Sequence, residues 1–185
     1  MSVDLSWIKQ SLQLRNVSQD AIKALDCMDI FQFSTGETIL QQGQLGGGLF
    51  LLRSGRISIM MQREDEDVLL ARDEEGALFA KHCLLDEHKL SDVQIVADDN
   101  CTVYKLSHAS FIHLMRTHHQ LAYAILFRML DYQEETIRKN RTKLFPYLLA
   151  LKLKAEKLPF IVKLIPLLFI VSYSSLFFYR LFNPK

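Results

Sequence analysis

Glycine, proline and acidic residues are each missing from large parts of the chain. None of its seven glycines lies outside the segment from Gly36 to Gly76, and none of its four prolines precedes Pro146. Residues 138–185 contain one acidic side chain, Glu156, beside 10 Lys and Arg, which gives a net charge of +9. Residues 1–137 contain 12 basic and 20 acidic side chains, which gives −8. An acidic first region therefore precedes a basic, apolar tail, and we expect the two to occupy different environments.

The chain also lacks the short motifs that mark catalytic and metal sites. Its three cysteines, Cys27, Cys83 and Cys101, form no CxxC pair, and no HExxH, GxSxG or Walker loop occurs. With no paired catalytic groups, we expect a protein that is not an enzyme and that holds no metal and no cofactor. The first residues contain no apolar signal segment, so we expect reduced thiols that face the cytosol.

Short apolar runs between turn glycines predict a mainly β domain with flanking helices. Leu49–Leu52 lies between glycines, and Ile57, Ile59 and Met61 alternate with other residues. Many such runs at close spacing favour an antiparallel β-roll or jelly roll. The predicted order is N-terminal helices over 1–29, the β-roll over 30–117, a long helix over 118–144, a basic amphipathic linker helix over 145–157 and a membrane helix over 158–182.

An ordered series of motifs resembles the cyclic-nucleotide-binding domain of catabolite-activator-type regulators, kinase regulatory subunits and gated channels. The matching residues are Phe33, Gly36, Glu37, Ile39, Gln42, Gly43, Leu49, Phe50, Leu52, Gly55, Ile57, Ile59, Gly76, Phe79, Leu84, Leu85, Val93, Ala97, Cys101, Leu106 and Phe111. Each fragment is weak alone, but their order is specific. The resemblance covers about residues 5–140 and implies the β-roll fold.

The resemblance also implies where a ligand would lie. In this family a cassette with the pattern Phe-Gly-Glu, then Leu, then Arg-x-Ala grips the cyclic nucleotide: Glu accepts from the ribose hydroxyl and Arg pairs with the phosphate. Here Phe79 is followed by Ala80 and Lys81, and Ser91 occupies the position of the Arg, with Asp92 beside it. The residues of this degenerate cassette are Gly76, Phe79, Ala80, Lys81, Leu84, Ser91, Asp92 and Val93.

The loss of two charge-assisted contacts predicts that cyclic nucleotides bind about 10²–10⁴-fold more weakly than in a binding member of the family. We therefore expect no physiological cyclic AMP or cyclic GMP binding. An anion site moved to Lys81 or Lys89 stays open as an alternative. A haem-sensing relative places a His ligand where His82 stands, but its cysteine ligand would fall at Ala80, so His82 is interpreted as an ordinary cassette residue.

The long predicted helix carries an apolar face at Leu121, Ile125, Met129 and Tyr132. In relatives such a helix forms a homodimer interface, and the spacing suits one. The alternative, that the face packs only on its own β-roll, stays open. No helix-turn-helix follows, and leucines interleave with the basic residues that come next, so we expect no nucleic-acid partner and favour a helix at a membrane interface.

The tail predicts a single-pass membrane anchor. Residues 158–182 contain only two charges, Lys163 and Arg180, in 25 residues. Their uncharged centre, 164–179, would span about 24 Å as a helix, a little short of the roughly 30 Å of a hydrocarbon core. Extension to residues 158 and 182 covers the gap if Lys163 snorkels. Seven Lys and Arg over 138–157 precede this segment, so the positive-inside rule predicts a cytoplasmic N-terminal domain. The anchor residues are Leu164, Leu168, Val171 and Leu176; burial of this helix in a partner protein is the alternative.

Together these observations predict a non-enzymatic regulatory or adaptor protein that belongs to a membrane protein complex and contacts the lipid bilayer. The alternative function is a membrane-bound sensor that binds a cyclic nucleotide or another small ligand through the altered cassette.

Overall fold

The computed structural model describes residues 2–63 and 66–156. Residues up to Gln133 form one compact unit, and a second unit begins at Glu134. The elements are α1 (Leu5–Ser11), α2 (Gln19–Lys23), a 3-10 turn (Ala24–Cys27), β1 (Asp29–Phe33), β2 (Thr38–Leu40), β3 (Gly48–Ser54), β4 (Arg56–Arg63), β5 (Glu66–Glu74), β6 (Leu78–Phe79), α3 (His82–Leu85), β7 (Gln94–Ala97), β8 (Cys101–Ser107), α4 (His108–Thr117) and α5 (His119–Glu156). The predicted antiparallel roll with flanking helices is confirmed.

The strands form two four-stranded antiparallel sheets. The first sheet has the order β1-β8-β3-β6, and the second has the order β2-β7-β4-β5. β3 and β8 are the central strands of the first sheet, and Leu51 faces Tyr104 in their register. In the second sheet β4 lies between β7 and β5, so β5 ends that sheet.

The strand β3, at the centre of the first sheet, is buried on both faces, which explains its continuous apolar run. Successive side chains of a strand point to opposite faces. Leu49 and Leu51 accordingly join the core formed with the helices, whereas Phe50 and Leu52 join the core inside the roll. All four are at most 5% exposed. The sheet is therefore the wall between two separate hydrophobic cores.

Arg53 ties the first helix to the roll. Its guanidinium lies 4.8 Å from the centre of the Trp7 ring and 3.3 Å from carboxylate oxygens of both Asp4 and Glu75. The Trp7 indole Nε1 donates to Glu75 at 2.6 Å, and the Asp4 side chain caps α1 by accepting from the Trp7 amide at 3.0 Å. A planar cation with five donors can serve both carboxylates and the ring at once.

α5 is longer than the sequence predicts, because it runs through Pro146 to Glu156. One continuous helix thus covers the segments predicted as a long helix over 118–144 and a linker helix over 145–157. A proline removes one backbone donor and bends a helix, but the hydrogen bonds of the neighbouring turns remain. α4, before it, begins at a serine cap: the Ser107 hydroxyl accepts from the Ser110 amide at 3.0 Å.

The inner face of α5 belongs to the domain's own core. Leu121 and Ile125 are 0% exposed, and Met129 is 7% exposed, in the same cluster as the other helices and the first sheet. Tyr132 is half-buried beside them. The face predicted to form a dimer is thus occupied by the β-roll of the same chain, because apolar side chains at this spacing complete the helical core.

Two matched leucine truncations on α5 test this packing. Leu121→Ala should lower the free energy of unfolding by about 2–5 kcal/mol, because it leaves a cavity in the core. Leu130→Ala, at a position 63% exposed on the same helix, should change it by less than about 0.5 kcal/mol. Urea denaturation of both variants measures the difference, and equal losses would contradict the proposed division between inner and outer face.

Candidate ligand cassette

The predicted cassette lies between β6 and β7 and contains the short helix α3. Phe79, in β6, stacks on Phe50 of β3 with ring centres 5.3 Å apart and planes 10° apart. Leu84 of α3 is fully buried, and Gly76 precedes β6 in a turn with φ +89°. These residues anchor the cassette to the core inside the roll and to the helical core.

Ala80 has a backbone conformation that favours glycine, the residue that the family pattern places there. Its φ is +52°, in the left-handed region, and it is 8% exposed. A residue with a Cβ is destabilised by about 1–2 kcal/mol in this conformation.

Lys81, at the position of the ribose-binding Glu, turns toward α5. Its Nζ donates to the Leu78 carbonyl at 3.0 Å and lies 4.7 Å from the centre of the Tyr132 ring. Burial lowers the pKa of Lys81, and the nearby Asp73 carboxylate opposes that shift. The ammonium thus has a carbonyl and an aromatic face as neighbours.

Tyr132 and Asp73 complete this contact, and sequence reasoning did not find it. The Tyr132 hydroxyl donates to Asp73 Oδ2 at 3.4 Å, and burial together with Asp73 raises the pKa of Tyr132 to about 12. Tyr132 thereby joins α5 to β5 and to the cassette. The sequence feature that pointed to this contact is Tyr132 itself, because its hydroxyl ends a series of otherwise aliphatic positions on the predicted helix.

Ser91, at the predicted position of the phosphate-binding Arg, is 2% exposed. Its Oγ donates to the Val93 carbonyl at 2.7 Å. On either side of it the chain pairs with the loop after β2: the Gly43 amide donates to the Ser91 carbonyl and the Ser91 amide to the Gln44 carbonyl, both at 2.8 Å. The neutral Ser91 side chain thus lies where two loops are joined by backbone hydrogen bonds.

The loop that contains Gly46 lies directly on α3. A Cβ at Gly46 would approach the Cys83 Cβ to 2.7 Å and would also overlap the Cys83 sulfur. Cys83 is fully buried, and burial raises the pKa of its thiol. Asp92 and His82 are exposed, and Val93 is half-buried. Within residues 2–63 and 66–156, no group of three or more His, Cys, Asp and Glu side chains is placed to hold a metal ion.

The anchor residues Leu164, Leu168, Val171 and Leu176 lie outside the described residues. No helix within residues 2–63 and 66–156 combines the length and the apolar character that a bilayer crossing requires.

Comparison with known proteins agrees with this architecture. The family model for the cyclic nucleotide-binding domain matches residues 30–118. Residues 30–118 belong to the cyclic nucleotide-binding domain family. The predicted resemblance is therefore confirmed.

Relatives of this cyclic nucleotide-binding domain are distant. The chain is 26% identical to Homo sapiens cGMP-dependent protein kinase 2 over 98 residues, which is 51% of this chain and 13% of the kinase. It thus spans only a small fraction of the curated relative that it matches.

Solved structures share the fold of the domain. A cyclic nucleotide-binding domain from Methylobacillus flagellatus KT aligns with a TM-score of 0.70 at 17% identity, over 77% of this chain and 83% of the other. The Thermus thermophilus catabolite activator protein aligns with a TM-score of 0.59 at 21% identity, over 74% and 62%. At these identities the likeness concerns the fold alone.

A charge reversal at Lys81 tests the environment found in this cyclic nucleotide-binding domain. Lys81→Glu restores the family's carboxylate but places it against the Leu78 carbonyl, the π-face of Tyr132 and Asp73. We expect it to lower the free energy of unfolding by about 1–3 kcal/mol. Lys81→Met, which keeps the aliphatic stem, should cost less than about 1 kcal/mol. Chemical denaturation separates the two, and a Glu variant as stable as the Met variant would show that Lys81 faces solvent.

Proposed function

We propose that this chain is a regulatory adaptor whose cyclic nucleotide-binding domain does not hold a cyclic nucleotide. The observation that carries the proposal is Ser91, which is buried and neutral where the family pattern has its phosphate-binding Arg. A cyclic phosphate placed there would meet a neutral hydroxyl in place of the Arg and would have to compete with the pair of backbone hydrogen bonds between the loops. An anion without a paired charge is poorly stabilised in a buried site.

Lys81 supports the same proposal. A cation in the cassette could in principle replace the missing Arg. The ammonium of Lys81, however, is already 3.0 Å from the Leu78 carbonyl and lies over the Tyr132 ring. To bind a phosphate it would have to give up both contacts. Lys89, which is exposed, is the other cation close in sequence and keeps the sensor alternative testable.

Calorimetric titration of the 185-residue chain with cyclic AMP and with cyclic GMP tests this proposal. We expect no saturable binding at ligand concentrations up to about 1 mM, because two charge-assisted contacts are missing. A cyclic-AMP-binding domain measured under the same conditions is the positive control. A Kd in the micromolar range would overturn the proposal in favour of the sensor, and its loss in Lys89→Met would then assign the moved anion site.

We further propose that residues 158–182 anchor the adaptor in a membrane, with the domain on the cytoplasmic side. The support is the sequence: 25 residues with two charges, preceded by seven Lys and Arg over 138–157. An adaptor held at the bilayer in this way would lie close to membrane protein complexes. No catalytic role is proposed, since no paired catalytic groups were found in the sequence.

Two charges in the centre of that segment test the anchor. Leu168→Asp with Val171→Asp should move the chain from the carbonate-resistant membrane fraction to the supernatant, because each costs about 2.5–3.5 kcal/mol at a bilayer centre. Leu85→Asp with Leu90→Asp adds the same charge at exposed positions of the domain and should leave fractionation unchanged. If the wild-type chain itself is extracted by carbonate, the anchor proposal fails.

The inner face of α5 is buried in the domain's own core, which limits how a homodimer could form through this helix. If α5 pairs with a second copy, the contact must use its outer side, where Tyr123, Phe127 and Leu130 are 55%, 67% and 63% exposed. These three follow each other at intervals of four and three residues, the spacing of a coiled-coil seam. If this pairing forms, Leu130→Ala should weaken the association of two copies.

A further inference from the structure

The strand β5 is the most exposed strand of the domain. It lies at the end of its sheet, and within residues 2–63 and 66–156 its outer edge pairs with no strand. Eight of its nine residues are exposed. Every second residue of an antiparallel strand directs its N–H and C=O away from the neighbouring strand, so this edge presents backbone donors and acceptors in a row.

Apolar side chains occupy the centre of this exposed strand. Val68, Leu69 and Leu70 are 43%, 47% and 50% exposed. Val68 lies opposite Met61 and Leu69 opposite Met60, so these two neighbours point to opposite faces of the sheet. The register then shifts, because Ala71 lies opposite Ile59 and leaves Leu70 as the extra residue of a bulge. A partner strand beside β5 could therefore cover apolar surface on both sides of the sheet.

Acidic side chains flank the apolar centre at both ends. β5 contains Glu66, Asp67, Asp73 and Glu74 against one basic residue, Arg72, a net charge of −3. Arg72 is already paired with Asp98 at 3.6 Å. Of the other nearby cations, Arg56 pairs with Asp99 at 3.0 Å, and Arg63 lies opposite Glu66 in the hairpin register. The edge as a whole remains acidic.

The negative charge of β5 distinguishes between two candidate partners for this edge: a second copy of the strand and a basic peptide. A second copy of β5 would bring a net charge of −3 against another −3, and like charges across strands are destabilising. An extended segment with apolar residues at its centre and Lys or Arg toward both ends would match the edge in hydrogen bonding, apolar contact and charge. The observations therefore favour a basic partner peptide over self-association.

We propose that β5 is a docking edge for an extended basic segment of a partner protein, which adds to the sheet as a further strand. This surface deepens the proposed adaptor role and rests on it, since it names where and what the adaptor would hold. It involves no residue of the cassette. Nucleotide titration tests the cassette and peptide titration tests the edge, so failure of one is distinguishable from failure of the other.

The probe is a fluorescent nine-residue peptide with alternating Val and Thr in the centre and two Lys at each end. Anisotropy titration against the 185-residue chain should give saturable binding that weakens as salt is raised. The same peptide with Glu in place of Lys is the charge control and should not bind. Absence of binding by the Lys peptide, or equal binding by the Glu peptide, would overturn the proposal.

Backbone methylation of the probe tests strand addition itself. Two isomers carry N-methyl groups on alternate residues, one set on each edge of the extended peptide. Addition to β5 uses one edge only, so one isomer should lose binding and the other should retain it. Equal behaviour of the two isomers would show a purely electrostatic contact and would overturn the proposal.

Charge reversal in the protein locates the contact. Glu66→Lys with Asp67→Lys should raise the Kd for the Lys peptide about tenfold, because attraction is replaced by repulsion at one end of the strand. Asp86→Lys with Glu87→Lys, which changes the charge by the same amount at exposed positions on the cassette side, is the matched control and should leave the Kd within about twofold. An equal effect of both variants would place the peptide elsewhere and would refute the docking edge.

Discussion

Burial of the central strands β3 and β8 on both faces of the first sheet is the constraint on which the rest of the structure depends. β3 and β8 send alternate side chains into two different cores, one shared with the helices and one inside the roll. A shift of register by one residue would exchange the two sets, so the helices, the second sheet and the cassette are all located by the same alternation. The close approach of Gly48 to the Leu106 carbonyl, where a Cβ would not fit, belongs to this same pair of strands.

The residues of the predicted cassette are held by contacts within the protein. Ala80 has a left-handed backbone, Phe79 is stacked in the core, and α3 is held by a buried Leu84. Ser91 bonds to its neighbouring backbone, and Lys81 lies against Tyr132 of α5. The proposal that the cassette holds no cyclic nucleotide rests on these internal contacts.

Lys81, Tyr132 and Asp73 join the predicted cassette to α5 and β5, and the strand that contains Asp73 also provides the exposed acidic edge. These contacts link the long helix, the cassette and β5 within the domain itself. For the proposed adaptor role, they would keep the docking edge in place without a small-molecule signal.

The sequence by itself determined the antiparallel roll, the flanking helices and the substituted positions at Ala80, Lys81 and Ser91, because strand alternation, turn glycines and motif order are local properties. It could not decide which side of α5 meets the roll, since Leu121 and Leu130 are both leucines and only packing distinguishes 0% from 63% exposure. Nor could it predict that α5 passes through Pro146, or that Tyr132 lies against Lys81, far away in the chain. Contacts between residues far apart in sequence arise only when the sheets and helices close around shared cores, so tertiary structure alone placed them.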